Sequence, residues 1–224
     1  MGSQDKESNM LKIYGGDLSA PSNKIRFVAN FLGLEYEYKK MSLKDGENRK
    51  PEYLALHPAG KIPVIDDGGF VLFESDSIVK YLASKQNSPI YPAELQRRAL
   101  VDQWIDFVTI HVGGSMSKVL FNRVFYSFAK VEKDDRSLQD GLNFLNRFLP
   151  IIEKQLTKSK YLAGMELTLA DFDLLANLDP AEVAGVDLGP YQKIAEWRNQ
   201  LKQRDFYTKC YKEYGESLRQ AIKG

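Results

Sequence analysis

His57-Pro-Ala-Gly-Lys-Ile-Pro-Val-Ile-Asp-Asp-Gly-Gly69, with Phe73-Glu-Ser-Asp-Ser-Ile78 just beyond it, decides how this chain folds. It reads as turn, strand, Asp-Gly-Gly hairpin, second strand and helix start. Pro63 stands in an apolar run where a ladder N–H belongs, which is out of place in an ordinary central strand. A cis Ile62–Pro63 bond accounts for it, turning the backbone so that Ile62 offers its N–H and C=O outward. Glu74-Ser75 then sets an acid and a hydroxyl at a helix N-terminus, where anions bind. The arrangement predicts a socket for an extended peptide that carries a carboxylate.

Working outward, Leu11 to Tyr14 is a first strand ended by Gly15-Gly16. Pro21 opens a helix that carries Ile25, Phe27, Val28, Phe31 and Leu32 and stops at Gly33. Residues 35–39 alternate charged and aromatic side chains as a second, parallel strand. A short helix follows at 51–56. Strands at 61–66 and 71–73 and a helix at 77–85 complete the first half. Two prolines in residues 87–92 mark a linker.

Everything beyond is helical in pattern. Val101, Ile105, Val108, Val112, Met116 and Val119 stripe one long helix from Ala93 to about Val131, with Gly113-Gly114 expected to bend it. A second helix is expected over 135–157, kinked or broken at Pro150. Thr168 and Asp171 form a capping box, with Leu167 and Phe172 as its staple. Pro190 begins a further helix, and a last one is expected over 207–222.

The chain has 224 residues, 43% of them hydrophobic, with a formal net charge of +1. That balance shows no basic stripe for nucleic acid. No apolar run reaches the ~20 residues that span a bilayer. The first ten residues are polar, lack the apolar stretch of a signal peptide, and are expected to form a disordered extension. Cys210 is the sole cysteine, so no internal disulfide forms and a reducing cytoplasmic setting is expected. No His, Cys or carboxylate cluster has metal-ligand spacing.

The proline followed by Glu-Ser, together with the Thr-x-Ala-Asp box, resembles the cytosolic glutathione transferases over about residues 11–220. The resemblance implies an α/β plus all-α chain: a thioredoxin-like glutathione-binding domain at 11–86, a linker at 87–93 and an all-helical substrate domain at 94–224. Leu18-Ser-Ala-Pro-Ser-Asn-Lys24 is similar to the Ser-x-Pro-Ser loop of serine-type members of theta and delta kind, which implies Ser19 as donor to the glutathione sulfur. From the residues alone, Ser19 equally reads as a helix cap. Tyr14, at the end of strand one, is the alternative donor. Where the theta pattern continues with arginine this chain has Asn23-Lys24, which is as similar to a bacterial nu-like class associated with disulfide reduction.

The resemblance further assigns Lys61 to the glycine carboxylate, the Ile62 peptide group beside Pro63 to the cysteinyl portion, and Glu74 and Ser75 to the γ-glutamyl end. Asn48 stands where the theta pattern has histidine. A second-substrate pocket is expected on the long helix at His111, Ser115 and Asn122, whereas His57 reads as structural. The expected function is activation of the glutathione thiol for attack on a small hydrophobic electrophile. The alternatives are a glutathione-dependent disulfide or peroxide reductase, or a non-catalytic binding and dimerisation module. Glutathione is the implied co-substrate, with no metal, and a homodimer is implied.

Overall fold

The computed structural model of the protein describes residues 10–216 and residue 218. All but the last residue of the expected extension over 1–10, and the last part of the expected 207–222 helix, lie outside them. Strand β1 (Leu11–Gly15) leads to α1 (Ala20–Phe31), β2 (Tyr36–Lys40), a 3-10 turn (Glu47–Arg49) and the one-turn α2 (Pro51–Leu54). Strands β3 (Val64–Asp67) and β4 (Phe70–Phe73) precede α3 (Ser75–Lys85). The sheet order is β2-β1-β3-β4, with β1 parallel to β2 and antiparallel to β3, and β3 antiparallel to β4. This is the thioredoxin-like arrangement the strand pattern implies. Ile13 and Ile65 from the sheet meet Phe27 and Val28 of α1 and Ile78 and Leu82 of α3, all fully buried. Each such side chain contributes roughly 1.5–3 kcal/mol by leaving water.

The second half is helical: α4 (Leu95–Phe107), α5 (Gly114–Leu120), α6 (Asp135–Lys158), α7 (Leu169–Leu178), α8 (Gln192–Lys202) and α9 (Asp205–Thr208). The expected long helix is continuous over 95–125 but contains two π-helical stretches, Val108–Gly113 and Phe121–Phe125. Gly113 ends the first of them. A Cβ there would lie 2.5 Å from Asn177 Oδ1 on α7, so the glycine serves close helix–helix approach.

One expectation changes. Pro150 neither breaks α6 nor interrupts its helical turns. The carbonyl it leaves unpaired belongs to Asn146, and both residues lie on the exposed face, where water can take that hydrogen bond. The segment read as a linker packs against the helical half: Ile90 is buried and its carbonyl accepts the Leu169 N–H at 2.9 Å.

Helix α7 sits at the centre of the helical half and is buried without a break from Leu169 to Ala176, Asp171 and Asp173 included. Its N-cap is Thr168, and the capping box is completed by Asp171, whose carboxylate accepts from the Thr168 N–H and hydroxyl, the Leu162 N–H and the Trp197 indole. Burial pushes the Asp171 pKa up to about 6, against the pull of those donors, so at neutral pH it is ionised and accepts from all of them. Asp171→Ala would strand buried donors and is expected to cost about 3 kcal/mol. The urea midpoint should fall accordingly with an unchanged slope.

Candidate functional site

The register of β3 brings three distant segments together. Val64 pairs with Tyr14 on one side and with Phe73 on the other. One step back along β3, Pro63 therefore lies beside Glu74 at one edge and beside the Gly15-Gly16 turn at the other. The Ile62–Pro63 bond is cis. The ladder starts at Val64, which leaves the Ile62 peptide group beyond it. The Ile62 side chain closes on Gly16, where an added Cβ would lie 3.1 Å from its Cδ1.

The Gly16–Ser19 turn is held from several directions. Ser22 Oγ accepts the Gly16 N–H at 3.3 Å. Asn23 Nδ2 donates to the Asp17 carbonyl at 2.7 Å, and Arg26 and Lys40 pair with the Asp17 carboxylate. From the far end of the chain, the Tyr214 hydroxyl donates to the Leu18 carbonyl at 2.7 Å. Ser19 is the N-cap of α1, its Oγ accepting the Ser22 N–H at 3.3 Å. Capping uses an oxygen lone pair and leaves the hydroxyl proton available to an outside acceptor.

Tyr14 lies on the other face of the sheet from α1. Its ring packs edge-on against Tyr53 at 6.1 Å between centroids, with the Lys39 ammonium 5.6 Å from its centre. Tyr53 in turn donates to the Lys61 carbonyl at 2.7 Å, and Asn48 Nδ2 donates to the Gly60 carbonyl at 2.6 Å. Gly60 has φ +58, and a Cβ on it would meet the Asn48 carbonyl at 2.7 Å, so this tight turn requires glycine. These bonds pin the turn that presents the exposed Lys61. His57 is structural: its Nδ1 accepts the Ala59 N–H and its ring stacks on Phe73 at 4.6 Å.

Glu74 adopts φ 69, ψ 112, a conformation costing a non-glycine residue about 1–3 kcal/mol. It is exposed, and Ser75 begins α3 right after it. Next comes Asp76, part of a cluster that sequence reading missed. The Lys24 ammonium, 2% exposed, bonds the Asp76 carboxylate and, at 2.7 Å, Asp173 Oδ1 on α7. The Thr109 hydroxyl lies 3.0 Å from Asp76 Oδ2 and 2.9 Å from Asp173 Oδ2, and Asn177 donates to Asp173. Burial would lower the Lys24 pKa, but Asp173 and then Asp76 outweigh it and raise it. Burial, with the added charge of Asp76, pushes Asp173 up, since one cation serves two carboxylates.

His111, Ser115 and Asn122 are not brought to this place. Thr109 faces Asp76, whereas His111, two residues on, turns away toward Phe148 of α6. Its ring sits between Phe107 and Phe148, 5.0 and 4.7 Å from their centroids. Ser115 Oγ donates to the His111 carbonyl, and its own carbonyl closes on Gly141 of α6. Asn122 accepts the Asp134 N–H that leads into α6. All three serve the seam with α6. The face of residues 95–125 that remains open carries Ile110, Gly114, Ser117 and Phe121, each exposed.

The family model described as glutathione S-transferase, N-terminal domain matches residues 10–84, and that described as its C-terminal domain matches 114–205. The chain belongs to the cytosolic glutathione transferase superfamily. It is 33% identical over 220 residues to glutathione S-transferase D7 of Drosophila melanogaster, covering 95% of this chain and 92% of that one. Among solved structures, glutathione S-transferase I bound with lactoylglutathione superposes with a TM-score of 0.81 at 28% identity, over 90% of this chain and 98% of that one. A glutathione S-transferase from Pseudomonas fluorescens superposes with a TM-score of 0.78 at 29% identity, over 88% and 96%.

This enzyme is thus a glutathione transferase, with glutathione as co-substrate, and no helix among its described residues is long and apolar enough to cross a membrane. Its one cysteine stands apart from the converging segments. Cys210 accepts from Asn30 Nδ2, and burial pushes its thiol up to about 11 despite the neighbouring Arg26. Two units above the ordinary 9.0 leaves about a hundredfold less thiolate. Alkylation by iodoacetamide at pH 7.5, followed by mass spectrometry, should run about 100-fold slower than for a free thiol.

Proposed function

We propose that this transferase binds glutathione across the Gly16–Ser19 turn, the Ile62–Pro63 peptide and the start of α3, and that Ser19 activates its thiol. Ser19 donates to the glutathione sulfur. Ile62 offers its peptide group to the cysteinyl portion, with Pro63 fixing its direction. Glu74 and Ser75 receive the γ-glutamyl ammonium and carboxylate, and Lys61 the glycine carboxylate. Asn48 acts mainly by holding the Gly60-Lys61 turn. The observation that carries this reading is the Ser19 hydroxyl: it caps α1 with its oxygen and keeps its proton to give. Tyr14, packed on Tyr53 across the sheet, is the weaker donor.

A thiol near pKa ~8.5 is mostly protonated at neutral pH. Lowering it by about two units takes roughly 2.7 kcal/mol of preferential stabilisation of the thiolate. One hydrogen bond to a charged acceptor supplies about 1.5–3 kcal/mol. The thiolate then attacks a hydrophobic electrophile lying on the open face of Ile110, Gly114, Ser117 and Phe121. The glutathione half spans 11–86 and the substrate half 94–224, joined by the packed segment 87–93. The compartment is cytoplasmic, as the superfamily's description suggests.

Ser19→Ala should lower kcat/KM for an activated aryl halide at least tenfold, and cost about 1 kcal/mol of stability through the lost cap. Ser19→Thr should keep both. Rates unchanged in the alanine variant, measured well below its melting temperature, would remove Ser19 from the chemistry. Turnover of a glutathione mixed disulfide in place of the halide would move the reaction to reduction.

The active species is a homodimer. Phe70, Val71 and Phe73 are exposed along the edge strand of the sheet half, and Leu100 of α4 and Phe144 of α6 are exposed on the helical half. A two-fold pairing of one with the other buries both twice. Light scattering should give about twice the chain mass at micromolar concentration, and Phe73→Asp should reduce it to the monomer.

A further inference from the structure

We propose that Lys24 is a positioning residue for glutathione: its buried ammonium neutralises Asp76 and fixes the first turn of α3 beneath Ser75. The proposal rests on the reading that the γ-glutamyl carboxylate settles at that helix end. A carboxylate bound there is favoured by the free N–H groups of the first turn. Asp76 lies in that same turn and carries the same charge as the ligand. Unneutralised, it would repel the ligand. Its side chain is only 27% exposed, so solvent screens it poorly. Lys24 bonds Asp76 from α1 and reaches Asp173 on α7 with the same ammonium, which ties the start of α3 to the helical half.

Two different jobs can be assigned to this bridge, and they separate by experiment. A purely structural clamp between the halves needs the Lys24–Asp173 bond above all. A device that serves the ligand needs the Lys24–Asp76 bond. Lys24→Met should raise the KM for glutathione about tenfold while kcat at saturating glutathione stays within about threefold. Asp173→Asn keeps Lys24 on Asp76 and should leave that KM within about threefold, even where the protein melts at a lower temperature. Adding Asp76→Asn to Lys24→Met removes the repelling charge and should recover most of the lost affinity.

Lys24→Met leaves Asp173 buried without its cation and is liable to misfold. Lys24→Met combined with Asp173→Asn removes both buried charges and provides the second test, since Asp76, with only the Thr109 hydroxyl beside it, is still left without a cation and the KM should still rise about tenfold. Equal KM values in wild type, Lys24→Met and the double variant would overturn the proposal. So would an equal rise in Lys24→Met and Asp173→Asn, which would make the bridge structural. Wild-type glutathione affinity, measured directly by calorimetry, separates the two levels. If wild type does not bind glutathione, the underlying reading fails; if it binds and the variants bind as tightly, only the role of Lys24 fails.

Discussion

Strand β3 is four residues long and must satisfy partners on both edges, β1 on one side and β4 on the other. A one-residue slip would turn Ile65 out of the core and expose Asp66 to it. The register is therefore tightly held, and with it the position of everything at the strand's entrance. Because Val64 faces Tyr14 and Phe73 together, the residues just outside the ladder on all three strands arrive at one place. The Gly15-Gly16 turn that leads to Ser19, the Ile62–Pro63 peptide and the Glu74-Ser75 pair are brought to that end of the sheet from positions far apart in the chain. The helical half contributes a floor: α7, buried along its length, with its start fixed by the Thr168–Asp171 capping box.

Polar groups buried between the two halves do a different job from the apolar core. The core favours docking without specifying direction, since hydrophobic burial is non-directional. Lys24, Asp76, Thr109 and Asp173 are directional, and each has a partner from another element. The same logic holds at the other end of α7. There Asp179 accepts from the Tyr207 and Tyr211 hydroxyls, and Arg198 donates to its carbonyl and to Glu182. This anchors the segment from which Tyr214 reaches the Leu18 carbonyl. The Ser19 turn is thus held by its own domain through Asp17 and by the end of the chain through Leu18.

Much of this was legible in the residues. Pro63 inside an apolar run pointed to a cis bond, because no central strand tolerates a missing donor without a reason. Thr168 and Asp171 announced the start of α7 at the spacing a helix cap requires. Ser19 and Tyr14 could not be separated by sequence, since both stand near the end of β1. The alternation of the strand puts them on different sides of the sheet: a Cβ on Gly15 would meet Ser22 of α1, so Tyr14 faces the other way. The pocket expected at His111, Ser115 and Asn122 came from steps of three and four along a regular helix. Those steps place residues on a common face but do not say which neighbour that face meets.

What the sequence determined by itself was the order of elements, the proline bend and the caps, because these follow from backbone chemistry within a few residues. What tertiary structure alone decided was the burial of Lys24. A lysine is ordinarily a surface residue, and its partners here lie 52 and 149 positions away. No local pattern encodes such a pairing. It exists because two halves of the chain, folded for other reasons, bring two carboxylates to one point, and a buried pair of like charges requires a cation between them.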